Sequence, residues 1–220
     1  MSEFDILFLD ANALASPVTR TLLIAGARAD AMRVVWSAHV EAEADRHARG
    51  TASRVASVRT TILGMELSPS ATSTDGLATV SAGDRQVIAD AITAEARYLI
   101  TTDVDDFALA DLAGHRMSAV NPDYFMALRF TEYGYLVGVR VLAEIAKNPP
   151  RTEADVHRML GRRHPRLTDR FAGVYDTTPV LADADQPAAL FRGIACLRCD
   201  SHLDDDGGLR LGMCVRHRQP

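Results

Sequence analysis

What the chain lacks narrows it first. It has no run of the roughly 20 apolar residues that a helix needs to cross a bilayer. Its start, MSEFDILFLD, has neither the basic opening nor the small-residue cleavage site of a secretory signal. The expectation is a cytoplasmic protein with no membrane partner. Cysteine is scarce: there are three, an odd number, all at or after position 196. That argues against a disulfide framework and favours metal binding. Positive charge is not in excess either, since the formal net charge is -5; a nucleic-acid partner would have to meet a local basic patch. No internal repeat is visible. What remains is ordinary for a globular chain: 220 residues, 47% hydrophobic and 24% charged, enough for one medium domain and something smaller.

Apolar runs and helical patterns alternate. FDILFLD is a short continuous apolar run closed by Asp10, as expected of a strand buried on both faces. Ser16 and Pro17 then offer a cap and a first helical residue for the segment 15–32. RVVW reads as a second strand, and Ser37 as the cap of a long helical stretch in which Val40, Ala44, Val55, Val58 and Ile62 keep helical spacing. SPSATSTDG is a loop by composition. Asp84 stands at the start of a helix over RQVIADAITAEA, RYLITTD is another buried strand, and RMSAVNPDYFM gives a last short strand ended by Pro122. This alternation predicts an α/β fold: a central parallel sheet in a three-layer α/β/α domain over residues 1–128. Residues 129–190 read as a helical extension, with Thr152 and Asp155 spaced as a capping pair, and 191–220 as a small separate module.

Acids recur at matching places. Asp10 and Asp103 end two strands, and ligands of open parallel sheets bind outside the carboxyl ends of the strands. Asp84 opens a helix, and Glu41 and Glu43 follow the second strand closely. Carboxylates crowded together need water or a cation. Without interleaved Cys or His, the set suits a hard cation such as Mg2+ or Mn2+, which can support phosphodiester hydrolysis. Each acid also has a bland reading: a helix cap for Asp84, a solvated position for Asp105, an exposed helix face for Glu41 or Glu43.

Taken in order, FLDANAL, WSAHVEAEADRH, DRQVIADA, LITTDVDDF and NPDYFM resemble the PIN-domain ribonucleases, in particular the VapC-type toxins of toxin-antitoxin pairs, over residues 4–128. The resemblance implies a metal-dependent endoribonuclease acting on RNA, with an antitoxin protein as partner. It implies Asp10, Glu43, Asp84 and Asp103 as catalytic metal ligands, with Asp106 beside them and Asn12, Thr101 and Thr102 in support. It points to Glu43 over Glu41 and leaves the division between Asp103 and Asp106 open. A rival from another class is a silent PIN-fold adaptor that binds nucleic acid or protein. A phosphatase or DNA-directed nuclease could use the same acids.

Two further segments carry chemistry. The stretch 151–170 is rich in arginine, and Arg158, Arg162 and Arg163 could hold RNA phosphates; an ordinary solvated helix face is the equal alternative. His157 and His164 are expected at its surface. Near the end, Cys196, Cys199, Cys214 and His217 form a C-x2-C and a C-x2-H pair around DDDGG, expected as a hairpin turn. This looks like a zinc ribbon with one histidine replacing a cysteine, holding structural Zn2+. His202 is an alternative ligand, and a redox pair or plain thiols are the competing readings. A homodimer is left open.

Overall fold

The computed structural model describes residues 5–47, 53–177 and 189–218. Five strands form one mixed sheet in the order β2-β1-β3-β4-β5. They are β1 (Ile6–Leu9), β2 (Arg33–Val35), β3 (Tyr98–Ile100), β4 (Ser118–Val120) and β5 (Phe191–Arg192). The first four are parallel, as expected. β5 pairs antiparallel with β4, which corrects the expectation of a wholly parallel sheet. All of Ile6 to Leu9 are buried, and successive strand residues face opposite sides, so both faces of the sheet are covered.

The helices start where the sequence offers caps. α1 (Ala11–Ala15) is capped by Asp10, and α2 (Pro17–Ala29) has Ser16 as its cap and Pro17 at its first turn. α3 (Ala38–His47) follows β2. The long helix expected beyond it is broken. Residues 48–52 lie outside the described residues; α4 (Val55–Ser57) is a single turn, and Val58–Leu63 winds as a π-helix that ends at Gly64 with φ 57°. Val55 is buried but Ile62 is 73% exposed, since a π-helical turn shifts the side-chain register away from the 3.6-residue stripe. α5 (Ala82–Thr93) is capped by Ser81, so Asp84 stands in its first turn rather than at its cap. After α6 (Leu109–Gly114), Pro122 opens α7 (Pro122–Arg129) behind the cap Asn121. That proline begins the helix as much as it ends the strand.

The extension packs into the same core. α8 (Glu132–Ile145) lies against α2. The approach is close: a Cβ on Gly26 would stand 2.8 Å from Phe130 Cζ, and one on Gly138 would stand 3.1 Å from Leu22. α9 (Glu153–Leu160) begins with the expected capping box of Thr152 and Asp155, and α10 (Pro165–Arg170) follows it. Tyr135, Val156, Leu160, Leu167 and Phe171 join the sheet residues in one apolar cluster. His157 and His164 are buried here, against the expectation of surface positions. Each has a partner: Tyr135 and Thr177 for His157, and Thr19 for His164. Hydrogen bonding is what makes a buried imidazole tolerable.

Residues 178–188 of the extension lie outside the described residues. The last segment supplies β5, then α11 (Asp206–Leu211) and α12 (Val215–Arg218). The expected hairpin turn at DDDGG is a helix start instead, because Asp205 accepts from Gly208 N and caps α11. Phe191, Cys196, Leu197 and Leu203 reach the common core.

Candidate functional site

In the order β2-β1-β3-β4 the chain runs one way from β1 to β2 and the other way to β3 and β4. The switch point therefore lies between β1 and β3, whose carboxyl ends carry Asp10 and Thr101. Their backbones are tied by Asp10 N donating to Ile100 O at 3.0 Å. A crevice is expected there, and a cavity of about 290 Å3 occupies it. Its walls include Asp10, Asn12, Glu43, Asp84, Asp103 and Asp106, together with His47.

A hydrogen-bond network fastens the first and third strands' acids. Asn12 Nδ2 donates to Asp10 Oδ2, Thr101 Oγ1 and Asp103 Oδ2, each at 3.0 Å. Thr101 Oγ1 donates to Asp10 Oδ2 at 2.8 Å and accepts from Asp103 N at 3.1 Å. Thr102 N donates to Asn12 Oδ1 at 3.1 Å. Asp10 is also the cap of α1, accepting from Ala11 N at 2.6 Å. The supporting places expected for Asn12, Thr101 and Thr102 are thus beside the two carboxylates.

The charges in this cavity repel. Burial pushes the Asp10 carboxyl up to about 6, the Thr101 hydroxyl and Ala11 N–H oppose that, and Glu43 and Asp103 add to it. Asp106 is likewise raised, by desolvation first and then by Asp84, Asp103 and Asp105. Those influences link Glu43, Asp10, Asp103, Asp106 and Asp84 into one electrostatic set. Among the described residues no Lys or Arg lines the cavity. A carboxylate-rich donor set, with the His47 imidazole beside it, fits a hard divalent cation held partly through its own waters.

Glu41 and Glu43 part company. Glu41 is buried, at 8% exposure, and its carboxylate is gripped by Arg59 at 2.6 and 3.1 Å and by Trp36 Nε1 at 3.0 Å. Burial raises its pKa, but these partners outweigh that and hold it below the ordinary value. Its charge is already neutralised. Glu43, two residues on, lines the cavity, and its carboxylate stands 3.9 Å from His39 Nε2 on the same helix.

The cysteine cluster is a different kind of site. One donor atom each from Cys196, Cys199, Cys214 and His217 lies within 4.8 Å of the others, and among the described residues this is the group gathered so tightly. Four ligands on a tetrahedral Zn2+ stand about 3.8 Å apart for two sulfurs and about 3.6 Å for sulfur and nitrogen, from bond lengths near 2.3 and 2.0 Å. The observed separations are 3.7 Å for Cys199 to Cys214, and 3.4 Å from His217 Nδ1 to both Cys196 and Cys214. Ser201's hydroxyl and then its N–H lower the Cys199 thiol to about 6, toward the thiolate that binds metal. His202 is exposed and outside the cluster.

The arginine-rich segment is divided in use. Arg158 pairs with Asp155 on its own helix at 2.7 Å, and Arg163 donates to Ser16 at the far end of α1 from Asp10. Arg162 and Arg163 are exposed. Arg192, which no sequence pattern singled out, donates to the carbonyls of Asp105 and Phe107 on the acidic loop.

Set against known proteins, the chain matches no family model, no curated protein and no solved structure, so its function is argued from these two sites.

Proposed function

We propose that the protein is a Mg2+- or Mn2+-dependent endoribonuclease of PIN-like design with a structural Zn2+ in its tail. The observation that carries this is the meeting of Asp10, Glu43, Asp84, Asp103 and Asp106, drawn from four separate segments, around one cavity at the sheet's switch point. A divalent ion bound there supplies Lewis acidity and an acidified water for phosphodiester hydrolysis. The chain's part is to hold that charge in place. Asn12 and Thr101 fix the Asp10 and Asp103 carboxylates relative to each other. Glu43, Asp84 and Asp106 close the other walls. Uncompensated acids repel a phosphodiester until cation is present, which makes substrate entry depend on metal.

Arg163, held at Ser16 across α1, supplies positive charge one short helix away from Asp10, with the exposed Arg162 next to it in sequence. That suits gripping the backbone of an RNA beside the cleavage point. The choice of RNA, the toxin role and an antitoxin partner rest on the motif resemblance. The Cys3His separations support a closed Zn2+ site, in which all four positions are filled by protein and the ion serves folding.

The test is cleavage of total cellular RNA by purified protein with Mg2+ or Mn2+. An EDTA arm is rescued by Mg2+ alone or with Zn2+, and an Asp10→Asn variant runs alongside. Discrete fragments that need Mg2+ and vanish in the variant support the proposal. RNA that is bound intact, or cut equally by Asp10→Asn, overturns it in favour of a binding adaptor.

A further inference from the structure

Building on the carboxylate site proposed above, we infer that Arg192 is a positioning residue for its acidic loop, and that metal at the Cys3His centre holds Arg192 in place. The acidic loop runs from Asp103 to Phe107, with Val104–Asp106 as a single 3-10 turn. Asp103 N is tied to Thr101 Oγ1, and Asp106 N to Asp103 O at 3.1 Å. Beyond those bonds, Arg192 Nη1 donates to Phe107 O at 2.8 Å and to Asp105 O at 3.4 Å, while Nη2 stands 3.7 Å from the Asp105 carboxylate. These two carbonyls flank Asp106. One guanidinium therefore pins the peptide groups on either side of a cavity carboxylate, using the planar fork that arginine provides.

Arg192 is in turn set by the tail. It lies four residues before Cys196, on the two-residue strand β5. The path between them bends at Gly193 and Ile194 but is paired: Leu203 N donates to Ile194 O, Ala195 bridges to His202, and Cys196 N donates to Ser201 O. The second pair of ligands reaches the same strand. Leu197 N donates to Gly212 O, and the Phe191 ring presses on Gly212, where φ is +60° and a Cβ would meet the ring at 2.7 Å. Gly193 packs on Ser118 with no room for a side chain, which fixes the register of β5 on β4. So small a module has few apolar contacts of its own, and metal is what closes its two ligand pairs. Phe191 and the pairing with β4 keep β5 in place, so loss of that metal loosens the segment beyond it and, through it, the hold on the Arg192 side chain.

The experiment uses the full-length chain and two readouts besides cleavage. Amide hydrogen exchange at 103–107 is followed in buffer without Mg2+ or Mn2+, and Mn2+ affinity by electron paramagnetic resonance. Arg192→Ala should keep one zinc per chain, exchange at Asp106 about tenfold faster, and bind Mn2+ about tenfold more weakly, the scale of losing a charged hydrogen bond. Arg192→Lys should recover part of both. Cys199 is exposed, so Cys199→Ser removes a ligand without opening a cavity; it should lose zinc and show the same loosening, and the double variant should add nothing further. Unchanged exchange at Asp10 serves as the folding control in each protein. Parental exchange at 103–107 in Arg192→Ala, or in zinc-free Cys199→Ser, overturns the inference. A parent that binds no Mn2+ overturns the carboxylate-site reading instead, while the exchange data still decide the role of Arg192.

Discussion

Replacing Asp10 by Asn separates what this carboxylate costs the fold from what it does for the site. In the folded chain its pKa is pushed up to about 6 from 3.8, chiefly by burial and further by Glu43 and Asp103. The sign follows directly. Between pH 3.8 and 6 the folded chain holds a proton that the unfolded chain has released, so stability falls as pH rises through that window. Above it the carboxylate costs about 3 kcal/mol, at 1.36 kcal/mol for each pKa unit. From pH 4.0, where part of the cost is already present, to pH 7.5, the loss through Asp10 is about 2.4 kcal/mol. Asparagine has no such slope. Its amide also leaves one donor facing a donor, Asn12 Nδ2 or Ala11 N, since all present partners donate to Asp10; that costs about 1–3 kcal/mol at every pH and cancels in the comparison. Urea unfolding of both proteins at pH 4.0 and 7.5, without divalent ions, measures the double difference. His164 titrates nearby but is common to both proteins. The parent should lose about 2–2.5 kcal/mol more than Asp10→Asn on going to pH 7.5. Mn2+ should then stabilise the parent at pH 7.5 and leave the variant unmoved. Parallel pH curves would refute the claim that Asp10 is held as an electrostatically costly carboxylate awaiting a cation.

The two glutamates of α3 should separate cleanly. Glu41→Gln breaks the buried pair with Arg59 and should cost about 2–3 kcal/mol in chemical denaturation. Glu43→Gln should change stability by less than about 0.5 kcal/mol, yet weaken Mn2+ binding at least about tenfold in a titration; equal effects from both would undo the assignment of Glu43 to the site. His164 is lowered to about 4 by burial and then by Arg163, so its contribution is complete above pH 6.5 and is lost as pH falls toward 4; His164→Gln should be less acid-sensitive than the parent over that window, and an unchanged unfolding profile there would contradict its buried state. Gly26→Ala places a Cβ against the Phe130 ring and should destabilise by about 1–3 kcal/mol, read as a shift in the urea midpoint, whereas Gly114→Ala, which meets nothing within 4 Å, should not.

Much of the architecture was legible because its signals are local. Four parallel strands are short apolar runs, and the caps Ser16 and Thr152 lie where a side-chain oxygen can reach the third N–H beyond it. The spacing of Cys196, Cys199, Cys214 and His217 predicted a metal cluster, and those four residues do converge. What failed to show depended on distant partners. β5 is two residues long and is a strand only because β4 offers an edge. The aspartate run before Gly207 looked like a turn, but Asp205 caps a helix whose N–H groups need an acceptor. His157 and His164 sit on a charged segment, yet Tyr135 and Thr19, 22 and 145 residues away, draw them inside.

The same reasoning explains why the acids of α3 could not be told apart by sequence alone. Glu41 and Glu43 are both two turns or less from β2, and on an isolated helix either could face a metal. What decides between them is Arg59, eighteen residues further on and beyond a break in the helix. Its guanidinium takes both Glu41 oxygens, and Trp36 takes one of them again. A carboxylate so paired has its charge offset by the chain's own cation and three hydrogen bonds already taken up on its two oxygens, which leaves it little to offer a metal ion. Glu43 has no such guanidinium partner among the described residues. The distinction between a carboxylate that supports the fold and one that serves the site therefore lies in whether a cation of the chain already neutralises it. By that criterion Arg59 marks Glu41 as part of the scaffold, and the absence of Lys or Arg from the cavity walls among the described residues marks Asp10, Glu43, Asp84, Asp103 and Asp106 as a set suited to an ion from outside.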